Sequence, residues 1–555
     1  MIMNQRTWQG SLSAIGILLL FSACFSGSGQ KPAQAEGKSS TPLFENLGDL
    51  HHPITTASPK AQQYFDQGLR LVFAFNHEEA VNSFQEAARH DPKAAMPHWG
   101  IALALGPNIN LPMDRASEKR AHEAVHKARV LAKNATPEEQ AYIEALVTRY
   151  SVAPDAKREA LDAAYAAAMA EVWARYPKDA DAGTLYAEAM MDLQPWDYWT
   201  SEGNPKGRAT DIVATLERTM QINPDHPGAC HYYIHAVEAS SRPERALPCA
   251  KRLPDLAPGA GHLVHMPGHI YLRLGMYKEA VERNVHATSV DHDYLAHRKL
   301  SGIYPIGYYP HNVHFLWSAL TMEGRSQEAI KAAHDLQELA PWDTAKQVPA
   351  LEEFTSTLPF ALVRFGKWDD ILALPSPPAE LSYTAAIRHY ARGIALASMK
   401  RFDEAQQEQQ ALAALADSLP KDRIIGGTKV VDLVDIAKLV LAGEVAARRG
   451  QFEPAIERLN EAAQLEDRLR YYEPPLWHVP VRHSLGAVLL QAGRPTEAEQ
   501  VYRTDLRQHP HNGWALFGLM QSLKAQQKQQ DLTATEEAFR LAWARADIQL
   551  QASRF

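Results

Sequence analysis

Two histidine pairs, each one helical turn wide and set 34 residues apart, constrain this chain more than any other feature. His231 and His235 lie four residues apart in CHYYIHAVEAS, and His265 and His269 lie four apart in GHLVHMPGHIY. Residues four apart share one face of a helix. Both members of the second pair follow the first by 34 residues, and Ala280 follows Ala246 by the same interval. A fixed period of that length belongs to a helix–turn–helix unit repeated along the chain. The histidines therefore take equivalent places on two successive stacked helices.

The chain has 555 residues, too many for one ordinary core, so several domains or a solenoid are expected. Its hydrophobic share of 46% is that of a folded protein rather than a disordered one. Net charge is −8 with both signs interspersed, and no basic stripe supports a nucleic-acid partner. From about Pro59 apolar residues recur three and four apart, alanine is abundant, and no alternating strand pattern persists. A motif runs through this helical pattern: Gly-x-aromatic-x-Glu-Ala, with a second glycine seven residues upstream. Gly275 to Ala280 with Gly268 is the fullest copy, followed by Gly450 to Ala455 with Gly443. Lys400 to Ala405 with Gly393, Gly493 to Ala498 with Gly486, and Asn76 to Ala80 with Gly68 also fit. Small residues at these places let the two helices of a hairpin approach closely, and Pro92, Pro258, Pro341 and Pro510 close units where a helix must stop.

On these motifs the chain resembles the tetratricopeptide-repeat family. Eight copies are recognisable, anchored at Ala80, Ala246, Ala280, Ala329, Ile371, Ala405, Ala455 and Ala498. The resemblance implies an all-α fold, a solenoid of helical hairpins wound into a superhelix. Residues 59–226 are expected to be N-terminal helical repeats, partly degenerate, with a good helix start at Thr136-Pro137. Residues 227–343 would hold the central histidine-rich repeats and 344–555 the C-terminal ones. Two aromatic loops, Pro195 to Trp199 and Tyr304 to Pro310, are long enough to line or cover something.

The first residues read as an export signal. Arg6 supplies the positive start, and Leu12 to Phe21 is an apolar run too short to span a bilayer. The run Phe21-Ser22-Ala23-Cys24 resembles the lipobox of bacterial lipoproteins, with Phe21 where Leu is usual. That resemblance implies removal of residues 1–23 and lipidation at Cys24. Phe25, where retained lipoproteins carry Asp, implies the outer membrane, with the lipid as the only membrane contact. Ala33-Gln34-Ala35 is a rival cleavage site farther from the apolar run. Residues 24–58 would then be a flexible tether. Cys230 and Cys249 remain, on the two helices of one hairpin. An oxidising compartment makes a disulfide one reading and two buried thiols the other.

In tetratricopeptide repeats the place fifteen residues before the anchor faces the concave groove. It holds His231, His265, His314 and His483 here. Three residues earlier, also facing the groove, come His262 and His311; four residues later come His235 and His269, with Glu238 on the same face. Imidazoles from neighbouring helices would then converge on one ion. Neutral imidazole suits zinc, copper, iron or nickel, and a nearby carboxylate favours iron, manganese or zinc. The candidate ligands are His231, His235, His265 and His269, completed by His262, His311 or His314 and by Glu238. Glu353 and Glu188 are further carboxylates to test. Two other readings stay open: a groove binding an acidic or peptide ligand through imidazole hydrogen bonds, and duplication of a structural histidine. His51, His52, His286, His292 and His297 have no register and are expected at loops or helix surfaces.

No phosphate-cradling Gly-x-x-x-x-Gly-Lys, no Gly-x-Ser-x-Gly elbow and no His-Glu-x-x-His motif is present. Cys230 and His231 point about 100° apart on a helix, which argues against a Cys–His nucleophile. The functional expectation is an exported binding or scaffold protein, its groove taking a peptide, protein or small molecule and carrying a metal at the histidines. The alternative is a metal-dependent hydrolase or oxidoreductase acting there.

Overall fold

A computed structural model describes residues 41–298 and 302–555. The signal sequence, the Cys24 lipidation site and residues 24–40 of the expected tether lie outside the described residues; residues 41–58 lie within them and pack on the helices, with Thr41, Leu47, His52 and Ile54 buried. From Pro59–Phe73 to Gln529–Ala542 the chain is a succession of helices. The described residues contain one sheet, a hairpin of Ile424–Ile425 with Thr428–Lys429, turned by Gly426 and Gly427. The fold is all-α, a solenoid of helical hairpins. Consecutive helices pack on each other, and the first helix of one hairpin also touches the first helix of the next. Ser382–Ser398 meets Val430–Arg448, which meets Val481–Gln491, which meets Gly513–Ala525.

The repeat register has a direct physical basis. All eight anchors, from Ala80 to Ala498, are completely buried. Upstream glycines sit where a ring or branched side chain from the partner helix fills the space of a Cβ. A methyl at Gly68 would lie 2.6 Å from the Phe84 ring, at Gly443 2.7 Å from Leu459, and at Gly486 2.3 Å from Tyr502. Five residues before most anchors the chain turns through a left-handed residue. Gly275, Gly324, Gly366, Gly450 and Gly493 supply it with φ between 64° and 77°, conformations a residue without Cβ adopts at no steric cost. Phe75 and Lys400 take the same place with φ of 57° and 60°. Gln527, at 59°, marks a ninth unit ahead of Leu532, beyond the eight read from the sequence.

Between residues 95 and 226, where the motif fades, helices continue regardless: Met96–Ala104, Arg115–Leu131, Pro137–Val147, Arg158–Arg175, Ala180–Met191 and Ala209–Ile222. The start at Pro137 carries a full capping box. Thr136 accepts from the Glu139 amide, and the Glu139 carboxylate accepts from the Thr136 amide. Cys230 and Cys249 are both buried and unbridged, the second of the two readings.

Distant parts of the winding chain come back together. Asp547 accepts from the Ser326 and Gln327 amides, Arg545 pairs with Glu323, and Arg470 donates to the Pro195 carbonyl. The segment around Tyr471 is thereby laid over the central repeats.

Candidate metal centre

Pro227–Val237 carries the first histidine pair, and it is buried along its whole length. Its start is fixed by His226, whose Nδ1 accepts from the Ala229 amide, and by Pro227 at the first position, where a missing N–H costs nothing. The second pair stands on Gly261–His265 and Pro267–Arg273, consecutive helical segments divided where Pro267 lacks its amide donor. Glycines bring the supporting side chains close. A Cβ at Gly261 would lie 1.9 Å from Asp291 Oδ1, and one at Gly268 would lie 2.8 Å from Asn284 Nδ2. His311 enters from Tyr309–Met322.

Six histidines come together as two triads, and within each the donor atoms lie within 4.8 Å of one another. His231, His235 and His262 form one; His265, His269 and His311 form the other. Five of the six are buried, at 2% exposure or less, and His311 is half-buried. The structure thus brings six of the seven candidate histidines together, buried in the interior rather than on an open groove face, and leaves His314 apart.

The hydrogen bonds decide which nitrogen of each ring is free. His231 Nδ1 lies 2.7 Å from the Phe73 carbonyl, which can only accept. His235 and His269 each direct Nδ1 at one oxygen of Glu238, at 2.7 and 2.6 Å. His265 Nδ1 lies 2.7 Å from Asn284 Oδ1, and Asn284 is oriented by donating its Nδ2 to the Ala280 carbonyl. All four rings therefore carry their proton on Nδ1 and turn an Nε2 lone pair inward, the orientation that outer partners impose on metal-ligating histidines.

The inward nitrogens are close. His265 Nε2 and His269 Nε2 are 2.9 Å apart, and His231 Nε2 is 3.2 Å from His262 Nε2. His235 Nε2 is buried with no hydrogen-bond partner among the described residues, as is His262 Nδ1. Two lone pairs 2.9 Å apart repel unless a proton or a metal ion lies between them. Two nitrogens on one ion, at bonds of about 2.0–2.1 Å and tetrahedral to right angles, sit roughly 2.9–3.4 Å from each other. The observed separations fall in that interval.

Electrostatics favour the neutral ring. Burial, reinforced by repulsion among the cluster, drives His231, His262, His265 and His311 well below the ordinary imidazole range. Burial also lowers His235, against the pull of Glu238. Burial disfavours the Glu238 charge, yet His269 and His235 outweigh it and hold this carboxyl below its usual range. Glu238 also meets the Tyr471 hydroxyl at 2.9 Å. Its oxygens face the Nδ1 atoms of His235 and His269 and the Tyr471 hydroxyl, and the three residues His235, Glu238 and His269 also have donor atoms within 4.8 Å of one another.

The other candidates lie elsewhere. His314 is buried outside both triads, stacked on Trp317 and 4.9 Å from the His478 ring. Glu353 accepts from Tyr472 at 2.7 Å, and burial pushes it up to about 7. Glu188 sits 3.9 Å from Arg149 in a separate buried network. His483 is held between Asp505 at 2.9 Å and Arg364 at 3.0 Å. His286, His292 and His297 lie exposed on a helix and His51 lies exposed in a loop, as expected; His52 also lies in that loop but is buried. It is buried against Asp181 at 2.8 Å, and His226 meets the other oxygen of the same carboxylate at 2.9 Å.

Both aromatic segments flank the site, but only Pro195 to Trp199 is a loop; Tyr304–Tyr308 is helical and runs directly into Tyr309–Met322, because Pro305 and Pro310 fall in the first turns of helical segments, where a missing amide costs nothing. The Trp196 ring lies 4.9 Å from His235, and the Tyr308 ring 4.9 Å from His262. Phe75 lies 4.4 Å from His231. Phe75 and Trp196 are two of the five non-glycine residues with positive φ among the described residues. Bulky side chains pay heavily for that conformation, and such strain collects at functional sites. Phe75 takes the turn place of the repeat, five residues before Ala80, whereas no repeat register marks Trp196.

No protein-family model matches the chain, and no curated protein matches it. Among solved structures it is similar to the human IFIT1 dimer with m7Gppp-AAAA, at a TM-score of 0.33 and 12% identity over 88% of this chain and 92% of that one. It is also similar to the APC/C hetero-tetramer Cut9–Hcn1, at 0.32 and 14% over 83% and 76%. Likenesses of that size carry no argument about function.

Proposed function

We propose that this is a binding protein of the helical-repeat kind that holds a transition metal at its central histidines. The observation that carries the reading is the pair of inward lone pairs at His265 and His269, 2.9 Å apart with both Nδ1 protons committed elsewhere. An all-imidazole donor set suits zinc or copper best, with iron and manganese less favoured where no carboxylate ligates. The solenoid surface above the buried site serves a peptide, protein or small-molecule partner. Export and lipidation at Cys24 complete the proposal, with the outer membrane as the anchor point.

A second reading, a metal-dependent hydrolase or oxidoreductase, is favoured by one feature. Three protein ligands leave a coordination position for water or substrate.

Elemental analysis of protein purified without a polyhistidine tag tests the proposal. Metal is expected in the wild type and reduced in His265→Gln and His231→Gln, with helicity by circular dichroism retained. A wild type that carries no metal and takes up none when offered zinc, copper, iron or manganese refutes it. Cys24→Ala should accumulate as unlipidated precursor, whereas a mature chain beginning at Glu36 would show that the rival cleavage site is used.

A further inference from the structure

Each triad is built from the same three repeat positions. Relative to an anchor, one histidine stands fifteen residues before it and one eleven before it. The third stands eighteen before the anchor of the next unit. His231 and His235 take the first two places ahead of Ala246, and His262 the third ahead of Ala280. His265 and His269 repeat them ahead of Ala280, and His311 completes the set ahead of Ala329. In a stacked repeat the same register gives the same local geometry one unit further on. The next unit would require His314, Ser318 and Glu353, and the second histidine is missing there. His314 and Glu353 belong to neither triad.

We propose that the six histidines hold two metal ions rather than one, one ion per triad, in a dinuclear centre with Glu238 braced between them. The proposal rests on the metal reading above and adds stoichiometry and arrangement. Three observations favour two positions. The donor atoms divide into two sets of three, and the grouping that crosses between them, His235 with His269, does so through Glu238. Each set has its own close Nε2 contact, 3.2 Å in the first and 2.9 Å in the second. Finally, the sets adjoin: across them the His235 and His269 rings are 5.2 Å apart and the His262 and His265 rings 5.7 Å, as close as rings within a set.

Glu238 is what makes the two positions one centre. Its two oxygens each accept an Nδ1–H from a different triad, so the same carboxylate orients a ligand of both ions. Three nitrogens per ion leave a position open on each, and the sets face each other inside aromatic walls. The ligand class this fits is a small oxygen donor, water or hydroxide, shared between two divalent ions.

Titration of metal-free, untagged protein with Zn2+ is expected to end at two equivalents per chain. His262→Gln and His311→Gln, each folded by circular dichroism, should take up one. Loading with Cu2+ instead should give an electron paramagnetic resonance spectrum broadened or silenced by coupling between ions. Each single-site variant should restore the signal of an isolated ion. One equivalent in the wild type overturns the dinuclear centre while leaving the metal reading intact. Two equivalents with two independent copper signals also overturn it. No uptake refutes both. The wild-type stoichiometry and spectrum decide the matter even where a variant fails to fold.

Discussion

At the scale of single residues, two kinds of buried histidine share one repeat position and differ in what holds their nitrogens. His265 commits only Nδ1 to a partner that must accept and turns Nε2 to another lone pair. His483 is engaged at both nitrogens, by Asp505 and by Arg364. The two should respond differently to the same substitution. Gln at 483 spans only one of those partners and leaves polar groups buried without a mate, so His483→Gln is expected to cost about 2–4 kcal/mol. Its metal content should equal that of the wild type, as denaturant unfolding beside elemental analysis will read. Loss of metal in His483→Gln would show that the site depends on the whole fold rather than on its own ligands. Phe75 shows the residue scale from the other side. A turn position that most other repeats give to glycine here carries a ring at φ 57°, and that ring packs 4.4 Å from His231 of the first triad.

At the scale of elements, the close approach of hairpin helices is coupled to the site. Gly268 admits Asn284, and Asn284 fixes the His265 ring. Gly268→Ala would put a methyl 2.8 Å from Asn284 Nδ2 and displace it. Weaker metal binding, by about 10-fold or more, is expected alongside a modest loss of stability, read by competition with a chelator. Unchanged affinity would mean that Asn284 does not orient His265. A second element-scale contact ties the segment before the first helix to Ala180–Met191 through His52 and Asp181. Burial alone would lower His52, but the Asp181 hydrogen bond and charge prevail and raise it to about 9. Asp181 is held below its usual range, because its bonds to His226 and His52 outweigh the burial that opposes its charge. A raised histidine stabilises fully below its unfolded value of about 6.5 and ceases to as pH climbs through 9; a lowered aspartate stabilises above about 3.9 and ceases to in acid. The contact is therefore strongest between about pH 4 and 6.5. Stability should fall by about 3 kcal/mol from pH 6.5 to beyond 9, and His52→Asn should flatten that part of the profile. An identical slope in the variant would remove His52 as its source.

At the scale of the whole molecule, the superhelix returns on itself, and the return places Tyr471 on Glu238, 233 residues away in sequence. With Trp196 and Tyr308 it closes the site from directions no single hairpin could supply. Tyr471→Phe keeps the ring and removes the hydrogen bond. It should leave the metal stoichiometry unchanged and speed metal transfer to a chelator by about 10-fold, since outer partners of ligands commonly carry effects of that order. A variant that loses metal no faster than the wild type would show that Tyr471 packs on the site without holding Glu238.

The chain's own periodicity determined the helical class, all eight anchors, the turn before most of them, and which histidines share a register. Those properties are local: a 34-residue period and a small residue at a close approach are written into neighbouring positions. Only the tertiary structure decided which histidines meet. His231, His265, His314 and His483 are equivalent by register and all buried, yet two join triads and two do not. The difference lies in what the neighbouring unit supplies, His262 and His311 for the first two but Glu353 in that place for His314, whose ring packs instead on Trp317 of its own helix and on His478. His52 and Tyr471 escaped any reading by period, since their partners Asp181 and Glu238 lie 129 and 233 residues away. Periodicity places a residue on a helix face; the winding of the solenoid sets what faces it.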